Sequence, residues 1–71
     1  MAEIKYEIVK HIATISEGSW NKELNVISWN GREAKYDLRL WTPDRTKMGK
    51  GITLTAEELS KLRTIIGDIG L

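Results

Sequence analysis

Apolar and polar residues alternate along three stretches of this chain, and a helical spacing follows them. In residues 3–15, Ile4, Tyr6 and Ile8 fall on one side, with Lys5 and Glu7 opposite. Val9 and Lys10 break that register, which predicts a bulge or bend before Ile12 and Ile15. The segment "SEGSWNK" then reads as a loop. Residues 22–29 alternate again, with Leu24, Val26 and Ser28 against Glu23, Asn25, Ile27 and Trp29. Residues 34–41 set Ala34, Tyr36, Leu38 and Leu40 against Lys35, Asp37, Arg39 and Trp41.

Between the second and third stretches lies "NGR", a hairpin signal. Directly paired residues of an antiparallel hairpin share a face, so the sum of their numbers is constant. A two-residue loop would set Leu24 against Asp37. A three-residue loop sets Leu24 against Leu38 and Val26 against Tyr36. Only the second keeps one face apolar, and three-residue loops carrying a bulge are common. On the other face it pairs Glu23 with Arg39, Asn25 with Asp37, Ile27 with Lys35 and Trp29 with Glu33.

After the turn "TPDRTK", residues 50–54 read as a short fourth strand. Thr55 followed by Glu58 is a capping box that opens a helix. Leu59, Leu62, Ile66 and Ile69 form its apolar stripe, placed to cover the apolar face of the sheet or a partner, and Gly67 is expected to end it. The fold class predicted is α+β, a four-stranded antiparallel sheet followed by one C-terminal helix (β-β-β-β-α).

With 71 residues the chain makes one domain, residues 1–71, whose single core is marginal at this size. It has no cysteine to supply a disulfide or a thiolate metal site. A homodimer is therefore expected. The opening "MAEIKYEIVKHI" breaks its apolar pairs with charges, unlike a signal peptide. No apolar run approaches the roughly 18 residues of a membrane span, so the cytoplasm is the expected location.

The net charge is only +1, yet it is unevenly spread. Residues 35–50 carry Lys35, Arg39, Arg45, Lys47 and Lys50 against Asp37 and Asp44, a local excess of three positive charges. Such a patch can dominate an encounter with a polyanion.

Little supports an enzyme. His11 is the only histidine, and Glu57 and Glu58 are adjacent acids in a first helical turn, where they suit the helix dipole. "MGKGIT" lacks the G-x-x-x-x-G-K-[ST] spacing of a nucleotide-binding loop and precedes a strand. Its glycines, Gly49 and Gly51, let backbone approach a ligand or a neighbouring strand while Lys50 projects.

The tryptophans carry more. Trp29 and Trp41 share a sheet face with Lys35 and Arg39, the combination of stacking platforms and cations that single-strand binders use. Asn25, on the same face, has an amide able to pair with a base edge. Trp20, in the loop, is either a further candidate or a lid on the core. On this reading, alanine at Arg39, Trp41 or Lys50 leaves the fold intact, with the Arg39–Glu23 pair exposed. The structural alternative puts this face in a dimer interface.

The stretches "KYDLRLWTPD" and "KMGKGITLTAEEL" resemble the C-terminal domain of the transcriptional positive cofactor four family, and more closely its short bacterial YdbC-like branch. The resemblance covers about residues 22–66. It implies a small homodimer whose curved antiparallel sheets bind single-stranded DNA with little sequence preference. It also implies DNA-contact positions at Arg39, Trp41 and Lys50, another near Lys47, an aromatic position at Trp29 and a basic one at Lys22. The chain departs from the family's eukaryotic pattern in being one residue shorter around Trp41 and one longer after Trp29.

Together these readings describe a non-enzymatic single-stranded DNA-binding protein that acts in transcription, replication, repair or DNA uptake. No cofactor, small-molecule substrate or membrane partner is expected. RNA is a variant of the same chemistry, and a protein-interaction adaptor using the aromatic face is the rival class.

Overall fold

The computed structural model describes residues 4–71; residue 3 of the expected first strand lies outside the described residues. Four strands, β1 (Tyr6–Ser16), β2 (Asn21–Trp29), β3 (Lys35–Trp41) and β4 (Met48–Leu54), pair in chain order as one antiparallel sheet, followed by helix α1 (Ala56–Asp68). The β-β-β-β-α order is the one expected.

The β2–β3 register is also the expected one: Leu24 opposes Leu38, Val26 Tyr36, Glu23 Arg39, Asn25 Asp37 and Ile27 Lys35. The connection reaches that register by a tight turn and one extra residue before β3, Glu33 and Ala34 standing against Ser28 alone, so the expected bulge lies beside the turn. Asn30 and Gly31 both have positive φ (53° and 73°), and Arg32 N–H donates to Trp29 O at 2.9 Å, which is a tight two-residue turn. The β2–β3 ladder stops at Ile27–Lys35, so Trp29 and Glu33 do not pair.

β1 is irregular three times over. Val9, Ile12 and Ile15 each stand outside the pairing with β2, the first of them where a bulge was expected. Each inserted residue adds local bend and twist. β4 opposes Leu40 with two residues, Gly49 and Lys50, a further irregularity.

The sheet is tightly curled. Trp41 lies across from Asn21, eight positions from Trp29 on β2, about 26 Å along a straight strand. Even so, the Tyr6 ring reaches both indoles, 5.7 Å from Trp29 and 5.6 Å from Trp41 between centroids. The concave face therefore closes around its centre, while Tyr6, His11 and Lys35 at its margins stay exposed.

This reverses the expected core. The fully buried residues are Ile27 and Trp41 together with Glu23, Asn25 and Asp37, all on the concave face. Leu24, Val26, Tyr36, Leu38 and Leu40, on the convex face, are only half-buried, and Ile52 beside them is exposed. The physical reason is curvature: a curled sheet dries its inner face, and the polar groups there are tolerated because they pair with one another.

The capping box of α1 forms as its residues predict. Glu58 N–H donates to Thr55 Oγ1 (3.1 Å), and Thr55 N–H donates to Glu58 Oε1 (2.8 Å). The helix passes through Gly67 and ends at Asp68, and it is Gly70, at φ 77°, that takes the left-handed turn. An interior glycine weakens a helix without stopping it. Nor does α1 cover the sheet. It meets only β3 and β4 and buries none of its own residues, so Leu62, Ile65, Ile66 and Ile69 stay exposed.

Candidate nucleic-acid interface

Alternation delivers the concave side chains in rows. β1 contributes Tyr6 and His11, β2 contributes Glu23, Asn25, Ile27 and Trp29, and β3 contributes Lys35, Asp37, Arg39 and Trp41. Where the curl closes, the Tyr6 ring lies against both indoles. The Arg39 guanidinium lies over Trp29, 5.0 Å from the ring centroid. Both indole Nε1–H groups are buried, with no acceptor among the described residues.

Arg39 is committed. Its Nε and Nη2 donate to the two oxygens of Asp37 (3.0 and 3.1 Å), and Nη1 donates to Gly49 O (3.2 Å). Thr53 adds its hydroxyl to Asp37 at 3.1 Å. The pair expected between Arg39 and Glu23 is absent, because the curl brings another cation to Glu23. In the turn between β3 and β4, Arg45 takes a left-handed φ of 58° and donates from Nε to Glu23 Oε1 at 2.9 Å. Asn25 donates to the same oxygen (3.2 Å), and its Oδ1 accepts from His11 Nδ1 at 2.6 Å.

Burial alone would raise the Glu23 carboxyl. The hydrogen bonds from Arg45 and Asn25, with the charges of Arg45 and His11, outweigh it and hold the group below its usual 4.5. In the turn, hydrogen bonds from the Thr46 backbone, the Thr46 hydroxyl and the Thr42 hydroxyl lower Asp44 in the same way.

The nine site candidates thus separate. Trp29, Trp41, Arg39 and Asn25 come together inside the curl, with Lys35 exposed at its edge. Trp41 has no exposed surface, and Asn25 is enclosed with both ends of its amide bonded, so neither is open in this conformation. Trp41 and Arg39 do not lie on an open face: one fills the interior and the other neutralises buried Asp37. Lys22 and Lys50 rim a shallow depression with Leu38, Arg39, Leu40 and Ile52, to which neither Trp29 nor Trp41 contributes. Trp20 sits beside it, near Gly49, and is exposed. Lys47 is exposed in the β3–β4 turn.

Lys22, Lys35, Lys47 and Lys50 are all exposed, and none makes a salt bridge among the described residues. Arg39 and Arg45 are balanced by Asp37 and Glu23, so the uncommitted charge near the sheet rests with these lysines, with Arg32 and Arg63 also free of salt bridges among the described residues.

Sequence reasoning missed Tyr6. Its alternation with Ile4 and Ile8 was legible, but its neighbour on β2 depends on the long-range β1–β2 register. Gly51 answers a different question: a Cβ there would lie 2.5 Å from Leu38 O and 2.6 Å from Arg39 Cβ, so close strand packing requires the glycine. The described residues gather no cluster of acids and histidine suited to a metal ion, and no helix among them is long and apolar enough to cross a membrane.

The family described as Transcriptional Coactivator p15 (PC4) matches residues 16–65, and the chain belongs to that family. A nucleic-acid-binding or coactivator-type role goes with it. An uncharacterized protein of Treponema pallidum (strain Nichols) is 45% identical over 71 residues, an alignment that covers 97% of this chain and 84% of the relative. β1 precedes the family match almost entirely.

Proposed function

We propose that the chain is a non-enzymatic, cytoplasmic single-stranded DNA-binding protein with little sequence preference, working as a homodimer in transcription, replication, repair or DNA uptake. The observation that carries the reading is the aromatic group: Trp29 and Trp41 with buried, acceptor-free N–H groups, in a family of nucleic-acid-binding domains. Bases stack on the indoles, each worth about 1–3 kcal/mol. Phosphates are met by Lys22, Lys35, Lys47 and Lys50. Arg39 has given three of its five N–H groups to Asp37 and Gly49 and keeps two for a phosphate.

The dimer reading rests on the exposed stripe of α1. Leu59, Leu62 and Ile66 line, with Tyr36, a groove of about 440 Å³ that a second copy would fill. Sedimentation at micromolar concentration should give twice the 8.1 kDa of one chain.

The deciding experiment is a titration with oligo-dT and with matched duplex at several salt concentrations, followed by tryptophan fluorescence. Single strands should bind tighter than duplex and quench the indoles. The logarithm of affinity should fall linearly with that of salt, and alanine at any one of the four lysines should lower the slope by about 0.7. Equal or tighter duplex binding sinks the reading. A weak salt dependence would favour the protein-adaptor rival. Matched oligo-U tests the RNA variant.

A further inference from the structure

We propose that Tyr6 is a tethered stand-in for a nucleobase: its ring holds the place against Trp29 and Trp41 in the free protein and leaves when a strand binds. This rests on the single-strand reading above and adds to it a residue from outside the family match, which begins at residue 16.

Trp41 exposes none of its surface, so no base reaches its ring unless a neighbour moves away. Tyr6 is such a neighbour. Its centroid lies 5.6 Å from that of Trp41 and 5.7 Å from that of Trp29, tilted by 52° and 45°. These are distances at which aromatic rings attract one another. Tyr6 itself is 38% exposed, whereas Trp41 is fully enclosed.

Its attachment is light. β1 is an edge strand held by β2 alone, Tyr6 is its first residue, and the pairing becomes irregular three positions on, at Val9. Two exposed hydrogen bonds close the end: Asn30 N–H to Lys5 O (2.7 Å) and Lys5 N–H to Asn30 Oδ1 (3.2 Å). Exposed bonds of this kind exchange readily with water.

The two indole N–H groups supply an independent pointer. A buried donor without an acceptor is unfavourable. A hydroxyphenyl edge in this position leaves both donors unmet, whereas a strand brings base carbonyls and phosphate oxygens. Opening the slot and satisfying the donors would then occur together.

The experiment compares the parent with Tyr6→Ala, Tyr6→Leu and Tyr6→Trp, reading anisotropy of end-labelled oligo-dT and, in the free proteins, acrylamide quenching of tryptophan. If Tyr6 competes for the slot, the alanine and leucine variants bind about two- to tenfold tighter, the span to which aromatic-pair strengths convert. The tryptophan variant, a better occupant, binds weaker. Quenching in the alanine variant rises as the indoles open. The reverse order, with alanine and leucine weaker and tryptophan tighter, would show a third stacking platform and overturn the proposal. So would unchanged binding. If Tyr6→Ala is unfolded at the assay temperature, Tyr6→Leu, which keeps an apolar filling without a stacking ring, decides alone. A parent that binds no oligo-dT fails the single-strand reading instead, and the quenching comparison still reports whether Tyr6 covers the indoles.

Discussion

Replacing Arg39 with alanine should destabilise the fold far more than removing any exposed lysine. Asp37 has no exposed surface, and its two oxygens accept from Arg39 Nε and Nη2, with only the Thr53 hydroxyl in addition among the described residues. Removing one partner of a buried pair leaves an uncompensated charge and costs about 3–5 kcal/mol. A domain of this length has about 4–11 kcal/mol in all, at about 0.05–0.15 per residue. Each kcal/mol moves the melting temperature of so small a domain by about 4–8 °C. Arg39→Ala should therefore melt at least about 12 °C below the parent, or not fold. Adding Asp37→Asn, which removes the stranded charge and keeps an acceptor for Thr53, should recover part of the loss. Melting followed by circular dichroism, at fixed pH and fixed protein concentration because a dimer's stability depends on it, measures both. A single variant melting within about 5 °C of the parent would refute the reasoning, because Asp37 would then have another way to be satisfied. A double variant no more stable than the single would refute it as well. The consequence for function is practical: loss of oligo-dT binding in Arg39→Ala reports on the fold as much as on a phosphate contact, whereas the lysine variants read phosphate contacts cleanly.

Two glycines should respond in opposite directions. Gly51→Ala drives a methyl into Leu38 O and the Arg39 backbone and should cost about 1–3 kcal/mol, while Gly67→Ala, inside α1 with nothing within 4 Å, should stabilise by about 0.5–1 kcal/mol. Urea denaturation of both tests this, and a mild Gly51→Ala would mean the strands part easily. Acid should weaken the fold through Glu23. Its folded-state value lies below the unfolded one, so its contribution is full above pH 4.5 and is lost as pH falls through the folded value; Asp44 acts in the same sense below 3.8. Melting temperature against pH should hold above 4.5 and decline below it, with a shallower decline in Glu23→Gln. An identical decline in that variant would show that Glu23 is not the group responsible.

Local rules made much of this molecule legible. The β2–β3 register followed from requiring Leu24, Val26, Tyr36 and Leu38 to share a face, because a shift of one residue exchanges every side chain between faces. Thr55 and Glu58 announced the start of α1, since a capping box needs only residues three apart. The exposed lysines were identified as carriers of charge, and remain so. Gly67 misled because a glycine inside a helix is only weakly unfavourable, and the residue that takes the left-handed turn, Gly70, lies three positions on.

Which face lies inside was beyond those rules. Alternation sorts residues into two sets without saying which is enclosed, and the more apolar set, Leu24, Leu38 and Leu40, looked like the core. Curvature decided otherwise, built from the irregular pairings of β1 and the close packing at Gly51. A curled sheet excludes water from its concave side whatever is there, provided the polar groups can satisfy one another. Glu23, Asn25 and Asp37 do so with Arg45, His11 and Arg39. The sequence by itself determined the elements, their order, the β2–β3 pairing and the excess of lysines, because these depend on residues near one another along the chain or across one hairpin. The tertiary structure alone decided that Trp41 is enclosed, that Arg39 answers Asp37 rather than Glu23, and that Tyr6 lies on both indoles. Each of those depends on how far the sheet bends, a quantity summed over four strands that no local stretch encodes.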